Sequence, residues 1–277
     1  MTQSTELQSP EAPVDAEAVA ERFVAARLAA KAVDGFPGGV IPQSMAEGYA
    51  VQAAAIPLYP DELVGWKVGG VNPALQAQLG VHRLAGAIFK GNVFKDAPEG
   101  VAVPGIPGGF TAVESEFIAR IGADADPAKL DWTIEEAADA IDAVFIGVEI
   151  AGSPLSEIND LGPTVVSSDF GNNAGLILGD ALENWRERLD GIQVETIIDG
   201  VSVGTGGSPS LAGGAIESVR FLLEHCARWG RPLKAGTLVS TGAVTGVHRV
   251  DIGTRAVCDF KGVGQFLCTV EKAAPKS

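Results

Sequence analysis

Val113-Glu114-Ser115-Glu116-Phe117 opens a strand-like run over 113–121, and its reading decides the fold. The two-residue period of a strand puts both carboxylates on one face, about 6 to 7 Å apart along it, with Ala112 and Ile118 on the same side. Like charges on a partly apolar face repel and lose hydration, so they are stable only when exposed or when something positive stands between them. A third acid, Glu149, closes the apolar run Ala143-Val-Phe-Ile-Gly-Val148, where a solvent-facing role is hard to defend. In Leu63-Val-Gly-Trp-Lys67-Val-Gly-Gly70 a single ammonium sits in an apolar, Gly-flanked strand, and it either snorkels outward or faces a site. Hard divalent cations take oxygen donors, and Mg²⁺ uses a few carboxylates while leaving other positions to water or substrate. The residues alone leave two readings of the three glutamates: an open Mg²⁺ or Mn²⁺ site, or ordinary exposed or salt-bridged strand carboxylates.

Outward from this stretch the pattern stays mostly β. Strands are expected near 63–68, 143–150, 175–178, 192–198, 237–241, 254–260 and 263–270. Asp199-Gly200, between two such runs, is a strong hairpin signal because a type I′ turn needs positive φ at both central positions. Helices flank the β-rich part. Asp15 can cap a first helix that Gly35 ends, Ser44-Met-Ala-Glu47 has the capping-box form before a second that stops at Pro57, and Ile216, Val219, Leu223 and Cys226 mark a late amphipathic helix. The expected organisation is a mobile tail over 1–14, an N-terminal helical portion with the first core strand over 15–75, and a β-rich metal-binding catalytic core over 76–277.

Composition narrows the function. The 277 residues carry 20 Lys plus Arg against 35 Asp plus Glu, a net charge of −15, which argues against a nucleic-acid surface or an anionic membrane partner. No apolar run approaches the roughly 20 residues that cross a bilayer, and the first residues lack a secretory pattern, so a cytoplasmic location is expected. Cys226, Cys258 and Cys268 sit among apolar residues without C-x-x-C spacing and read as core. Gly204-Thr-Gly206-Gly-Ser-Pro209 departs from a dinucleotide fingerprint at its last position, and no P-loop, G-x-S-x-G or H-E-x-x-H pattern occurs. His225 belongs on the flank of the late helix, whereas His82 and His248 fall in loop-like segments and are either surface residues or, for His82, a catalytic candidate.

Taken in order, four blocks resemble the fumarylacetoacetate hydrolase superfamily, in its branch of 2-keto-4-pentenoate (2-hydroxypenta-2,4-dienoate) hydratases and related 2-oxo-acid decarboxylases. Gly65-Trp-Lys67-Val-Gly69 looks like the branch's Lys-containing strand, and Glu114-Ser-Glu116 is similar to its Glu-x-Glu metal motif. Val148-Glu149-Ile-Ala-Gly-Ser153 resembles the segment of the third metal-binding glutamate. Ser168-Asp169-Phe-Gly-Asn-Asn173-Ala-Gly175 and Leu238-Val-Ser-Thr241-Gly242 look like the loops that close the site. The likeness spans about 15–271 and implies a mixed β-sandwich roll of the α+β class, mostly β, with a helical N-terminal portion. It further implies Mg²⁺ or Mn²⁺ dependence and a homo-oligomer. One departure stands out. Where the branch commonly has an acidic Pro-Asp-Phe-Gly-like segment after Leu-Gly-Val, this chain reads Leu79-Gly-Val-His82-Arg83-Leu-Ala-Gly86.

The resemblance implies a metal-dependent hydratase that adds water to a small 2-hydroxy-dienoic (2-oxo-enoic) acid to give a 4-hydroxy-2-oxo acid, as in aromatic-compound catabolism. Glu114, Glu116 and Glu149 would bind the metal, and Lys67 would bind the carboxylate or donate a proton. Asp169 and Asn173 would position water, while the Thr241-Gly242 loop would bind substrate. The alternatives are a C–C bond hydrolase, with His82 as its candidate base, or a decarboxylase using the same enolate chemistry. Outside catalysis, the chain could be a metal-binding scaffold that keeps the fold.

Overall fold

The computed structural model describes residues 13–276, so the tail expected over 1–14 falls, up to residue 12, outside the described residues. Helices α1 (Ala16–Leu28) and α2 (Met45–Leu58) precede strand β1 (Leu63–Gly70), then α3 (Pro73–Leu79) and β2 (Arg83–Phe89). Short strands β3 (Val93–Lys95) and β4 (Val101–Gly105) lead into the long pair β5 (Phe110–Ile121) and β6 (Ile141–Ser153), with α4 (Ile134–Asp139) between them. Next come α5 (Pro163–Ser168), β7 (Asn173–Ala181), α6 (Trp185–Arg188), β8 (Val194–Ile198), β9 (Val201–Gly206) and α7 (Gly214–Arg228). Strands β10 (Leu238–Ser240), β11 (His248–Arg249), β12 (Arg255–Phe260) and β13 (Gly264–Lys272) complete the chain.

The strands form two sheets. One runs β2-β1-β10-β5-β6-β7-β3 with β11 added against β5, and the other runs β4-β13-β12-β8-β9. Alternation along β5 divides its side chains between two environments. Its odd residues face the second sheet: the Ser115 hydroxyl lies 2.7 Å from that of Thr196, and Phe117 packs edge-on against Phe260 with ring centroids 5.5 Å apart. Its even residues, Glu114 and Glu116 among them, turn to the opposite face. The α+β, mostly β architecture expected from the sequence is the one observed.

Local chemistry explains several elements. The Asp15 carboxylate accepts from the Ala18 N–H at 3.1 Å, and Ser44 and Glu47 close a reciprocal capping box. Asp199 and Gly200 both have positive φ, 48° and 84°, at the β8–β9 hairpin. Cys226, Cys258 and Cys268 are all buried and free. Two helix ends differ from expectation. The first helix stops at Leu28 rather than Gly35, because Ala30 takes a left-handed conformation (φ 51°) while the Lys31 N–H returns to the Ala26 carbonyl. The chain then runs on to join Val33 to the Pro154 carbonyl. The second helix carries Pro57 inside its last turn and ends at Leu58. Among the described residues no helix is long and apolar enough to cross a membrane.

Candidate active site

Strand register gathers the three glutamates. Glu114 of β5 is directly opposite Glu149 of β6, a placement of like charges that destabilises a sheet unless something offsets it. Glu116 lies two residues along the same face, opposite Gly147. One carboxylate oxygen from each of the three lies within 4.8 Å of the others, and all three residues are buried. Lys67 reaches the same face through the sheet: it is in register with Ser240 of β10, which is in register with Ile118 of β5. Its Nζ stands 3.2 Å from Glu149 Oε2.

Hydrogen bonds fix the carboxylates of Glu116 and Glu149 and leave one oxygen of each free. Glu116 Oε2 accepts from the Ser240 hydroxyl at 2.6 Å and from the Gly242 N–H at 2.8 Å. Glu149 Oε1 accepts from Asn173 Nδ2 at 2.9 Å. Glu116 Oε1 and Glu149 Oε2 are buried without a geometric hydrogen bond, and the latter is paired electrostatically with the Lys67 ammonium 3.2 Å away. Burial, then the Glu149 charge, push the Glu114 carboxyl up to about 8 against the pull of Lys67. Burial and the Glu149 and Glu114 charges hold Glu116 well above the usual carboxylate range. Burial alone would lower the Lys67 pKa, but the combined fields of Glu149, Glu114 and Glu116 outweigh it and hold the ammonium above its ordinary value. A cluster of hard oxygens that resists full ionisation, with two of them unpartnered, fits a divalent cation. It does not fit the exposed carboxylates that the sequence left open, and its one salt bridge, Lys67–Glu149, leaves Glu116 Oε1 without a partner.

The cluster lies at a cavity of about 680 Å³ whose lining includes Lys67, Glu114, Thr241 and Gly242. His82 lines it too, exposed, with Nδ1 2.6 Å from Gln76 Oε1. The Thr241 hydroxyl donates to the Phe117 carbonyl at 2.8 Å, which ties the Thr-Gly loop to β5. Asp169 and Asn173 are not in the cavity lining. The Asp169 carboxylate is occupied by Arg27 Nε at 2.5 Å and the Ser153 hydroxyl at 2.6 Å. Arg27, near the end of α1, also donates to the carbonyls of Asn173 and Gly152. The structure thus joins Lys67 and the glutamates at one place, brings Thr241, Gly242 and His82 to the same cavity, and sets Asp169 and Asn173 behind it.

Sequence reasoning missed Ser240, Arg27 and Asn172. Ser240 was detectable as the polar residue inside a short apolar strand, whereas Arg27 gave no signal because its partners lie more than a hundred residues away. Asn172 lines the cavity, is 3% exposed and has an unpartnered Oδ1, while its Nδ2 donates to Asn159 at 3.3 Å. It ends three consecutive residues of positive φ, Phe170, Gly171 and Asn172. Gly171 is required there: a Cβ would meet Gly86 Cα at 2.7 Å and Lys67 Cδ at 3.0 Å.

Comparison with known proteins gives a consistent picture. No family model matches the chain. The 2-keto-4-pentenoate hydratase of Paraburkholderia xenovorans strain LB400 is 30% identical over 205 residues, 73% of this chain and 74% of that protein. The TodF product hydratase of Pseudomonas putida strain F1 is 27% identical over 214 residues, 76% of this chain and 77% of that protein. In fold, the chain is similar to 4-oxalocrotonate decarboxylase from Pseudomonas putida G7, solved with magnesium and adipate: TM-score 0.77, 23% identity, 92% of this chain and 97% of that one.

Proposed function

The chain belongs to the fumarylacetoacetate hydrolase superfamily, in its 2-keto-4-pentenoate hydratase branch, and on that footing we propose that it adds water to a 2-hydroxy-dienoic (2-oxo-enoic) acid to give a 4-hydroxy-2-oxo acid in aromatic-compound catabolism. The observation that carries the reading is the buried trio Glu114, Glu116 and Glu149, with two unpartnered oxygens and the Lys67 ammonium beside it. Bound there, Mg²⁺ or Mn²⁺ would act as a Lewis acid toward the substrate's carboxylate and 2-oxygen.

The chain's own groups then have distinct tasks. Glu114, Glu116 and Glu149 supply the ligand oxygens; Ser240 and the Gly242 N–H fix the carboxylate of Glu116, and Asn173 fixes that of Glu149. Lys67, kept protonated by the three glutamates, holds the substrate carboxylate or delivers a proton to the far carbon of the dienol. Asn172 offers an unpartnered acceptor in the cavity lining, suited to orient the water that adds at C4. Thr241 and Gly242 line the substrate's place. Asp169 is a positioning residue: with Arg27 it anchors the loop that carries Asn172 and Asn173. The reading also makes the enzyme a cytoplasmic homo-oligomer with a helical N-terminal portion ahead of its catalytic core.

The test is a panel of 2-hydroxy-dienoic and 2-oxo acids with Mg²⁺, products identified by mass. Hydration consumes the conjugated dienol absorbance and adds one water, with neither CO₂ nor a second carbon fragment released. Release of CO₂ would replace the proposal with decarboxylation, the activity named for the similar Pseudomonas putida G7 structure. Cleavage of an acylpyruvate into two acids would replace it with C–C hydrolysis, and tight binding of oxalate or pyruvate without turnover would leave a non-catalytic metal-binding protein.

A further inference from the structure

Once Lys67 and the glutamates are accounted for, one cation in the cavity lining, Arg83, has no assigned task. Arg83 opens β2 in register with Gly70 of β1, three residues beyond Lys67, which is about 10 Å at 3.3 Å per residue. It lines the same cavity beside His82, and its side chain is 11% exposed. Its guanidinium donates to the Ala212 carbonyl. The carboxylate paired with it, Glu217, stands 3.7 Å away and makes no hydrogen bond to it. Both Glu217 oxygens are instead taken by Arg220, at 2.6 Å each. Arg83 is therefore a mostly buried cation whose nearest carboxylate directs both oxygens to another arginine, Arg220, which also pairs with Glu224 at 2.7 Å. Burial lowers its pKa, against the pull of the Glu217 carboxylate and with a smaller push from Arg220. Asp160, the other acid in this lining besides Glu114, is exposed and so screened by solvent.

We propose that Arg83 recognises a second acidic group on the substrate, so that the 2-hydroxy-dienoic acid is a dicarboxylic one whose far carboxylate pairs with this guanidinium at the end of the cavity away from the glutamates. The inference rests on the hydratase reading in one respect, that the carboxylate and 2-oxygen of the substrate are held at the glutamate end. The guanidinium fork matches a carboxylate in shape as well as charge, and a partly desolvated setting strengthens the pair. Apolar residues of the same lining, Leu75 and Val247, would suit an alkyl tail instead, and the experiment separates the two.

The experiment is calorimetric titration of the Mg²⁺-loaded protein with 2-oxohexanoate and 2-oxohexanedioate, ligands that share the head and differ in the far group. The diacid is expected to bind about tenfold or more tighter, as one charge-assisted pair provides. Arg83→Gln should bring the ratio of the two affinities to about one, and Arg83→Lys should restore part of the preference. The ratio is taken on a single preparation, so a partly unfolded variant does not distort it. Equal binding in the parent, or preference for the monoacid, overturns the proposal and leaves the hydratase reading standing. If neither 2-oxo acid binds although Mg²⁺ does, the assignment of the head group fails and this proposal fails with it.

Discussion

Glu149→Gln removes a charge from the glutamate cluster while keeping nearly the same shape, and it separates a cation site from a structural ion pair. The new amide carbonyl can still accept from Asn173 Nδ2, as Glu149 Oε1 does at 2.9 Å. If Glu149 served mainly to balance Lys67, 3.2 Å away, its loss would leave a buried ammonium and cost about 3–5 kcal/mol. In the cation-site reading Glu114 and Glu116 still face Lys67, and one of three mutually repelling carboxylates is gone. The chelator-treated variant should then lie within about 1 kcal/mol of the chelator-treated parent. Metal reverses the comparison. At a concentration a hundredfold above Kd it stabilises the parent by about 2.7 kcal/mol. At roughly 2–4 °C per kcal/mol for a chain of this size, that is a rise in Tm of about 5–10 °C. A variant that binds a hundredfold more weakly gains only about 0.4 kcal/mol at the same concentration, a rise of about 1 °C. Thermal melts in EDTA and at stepped Mg²⁺ concentrations measure both quantities. A metal-dependent rise equal to the parent's, or a loss of several kcal/mol in EDTA, would refute the reasoning.

Lys67→Met should fold and bind metal but lose most of kcat/KM, about a hundredfold or more; a large fall in Tm with near-normal turnover would make Lys67 structural instead. His82→Ala should reduce kcat/KM less than about tenfold, since His82 is exposed and bonded to Gln76; loss of all activity together with acylpyruvate cleavage would turn the reading to hydrolysis. The metal-free protein should lose stability as pH rises from about 4.5 to 8. Glu114 has its folded pKa raised to about 8 from 4.5, so its contribution is present below the lower value and lost as pH passes through the upper one. Melts in EDTA across that range should show the fall, saturating Mg²⁺ should suppress it, and a flat profile would count against the buried, mutually repelling cluster. Arg27→Met should cost about 3–5 kcal/mol, seen as a lower denaturation midpoint in urea, because it leaves Asp169 buried without its ion pair; an unchanged midpoint would remove the anchoring role.

How much of this was legible in the sequence depended on how local the signal was. The glutamates could be read because a strand repeats every two residues: Glu114 and Glu116 had to share a face, and Glu149 sat in a run too apolar for the solvent side. The caps at Asp15 and Ser44 and the Asp199-Gly200 turn were equally local, and each appears as expected. The end of the first helix was not legible, because it is followed by a left-handed Ala30 and a bond from Val33 to Pro154, more than a hundred residues away. Arg27 shows the limit most clearly. In sequence it is one basic residue at the end of a helix, where the helix dipole alone would explain it. In the fold it holds Asp169 and the carbonyls of Asn173 and Gly152, more than a hundred residues further along the chain.

The same distinction accounts for the placement of Asp169. An acid and two asparagines in one short segment invite assignment to the water-handling machinery, because polar loop residues next to a site often act on its ligand. The segment turns through three residues of positive φ, however, and neighbouring side chains in such a turn diverge rather than align. Asp169 is drawn toward α1 by Arg27, Asn173 starts β7 and points its amide at Glu149, and Asn172 between them reaches the cavity lining together with Gly171. A residue's chemistry could be read from its type, but its direction depended on a backbone twist made possible by the close approach of Gly171 and Gly86. Substituting Gly86 with alanine would drive a methyl into the Phe170 carbonyl and push this turn away from Lys67, so it should impair turnover more than metal affinity, whose proposed ligands lie on β5 and β6. Comparing kcat/KM with the Mg²⁺ dependence of Tm in that variant checks the point, and an equal loss of both would show that turn and metal ligands are set by one another.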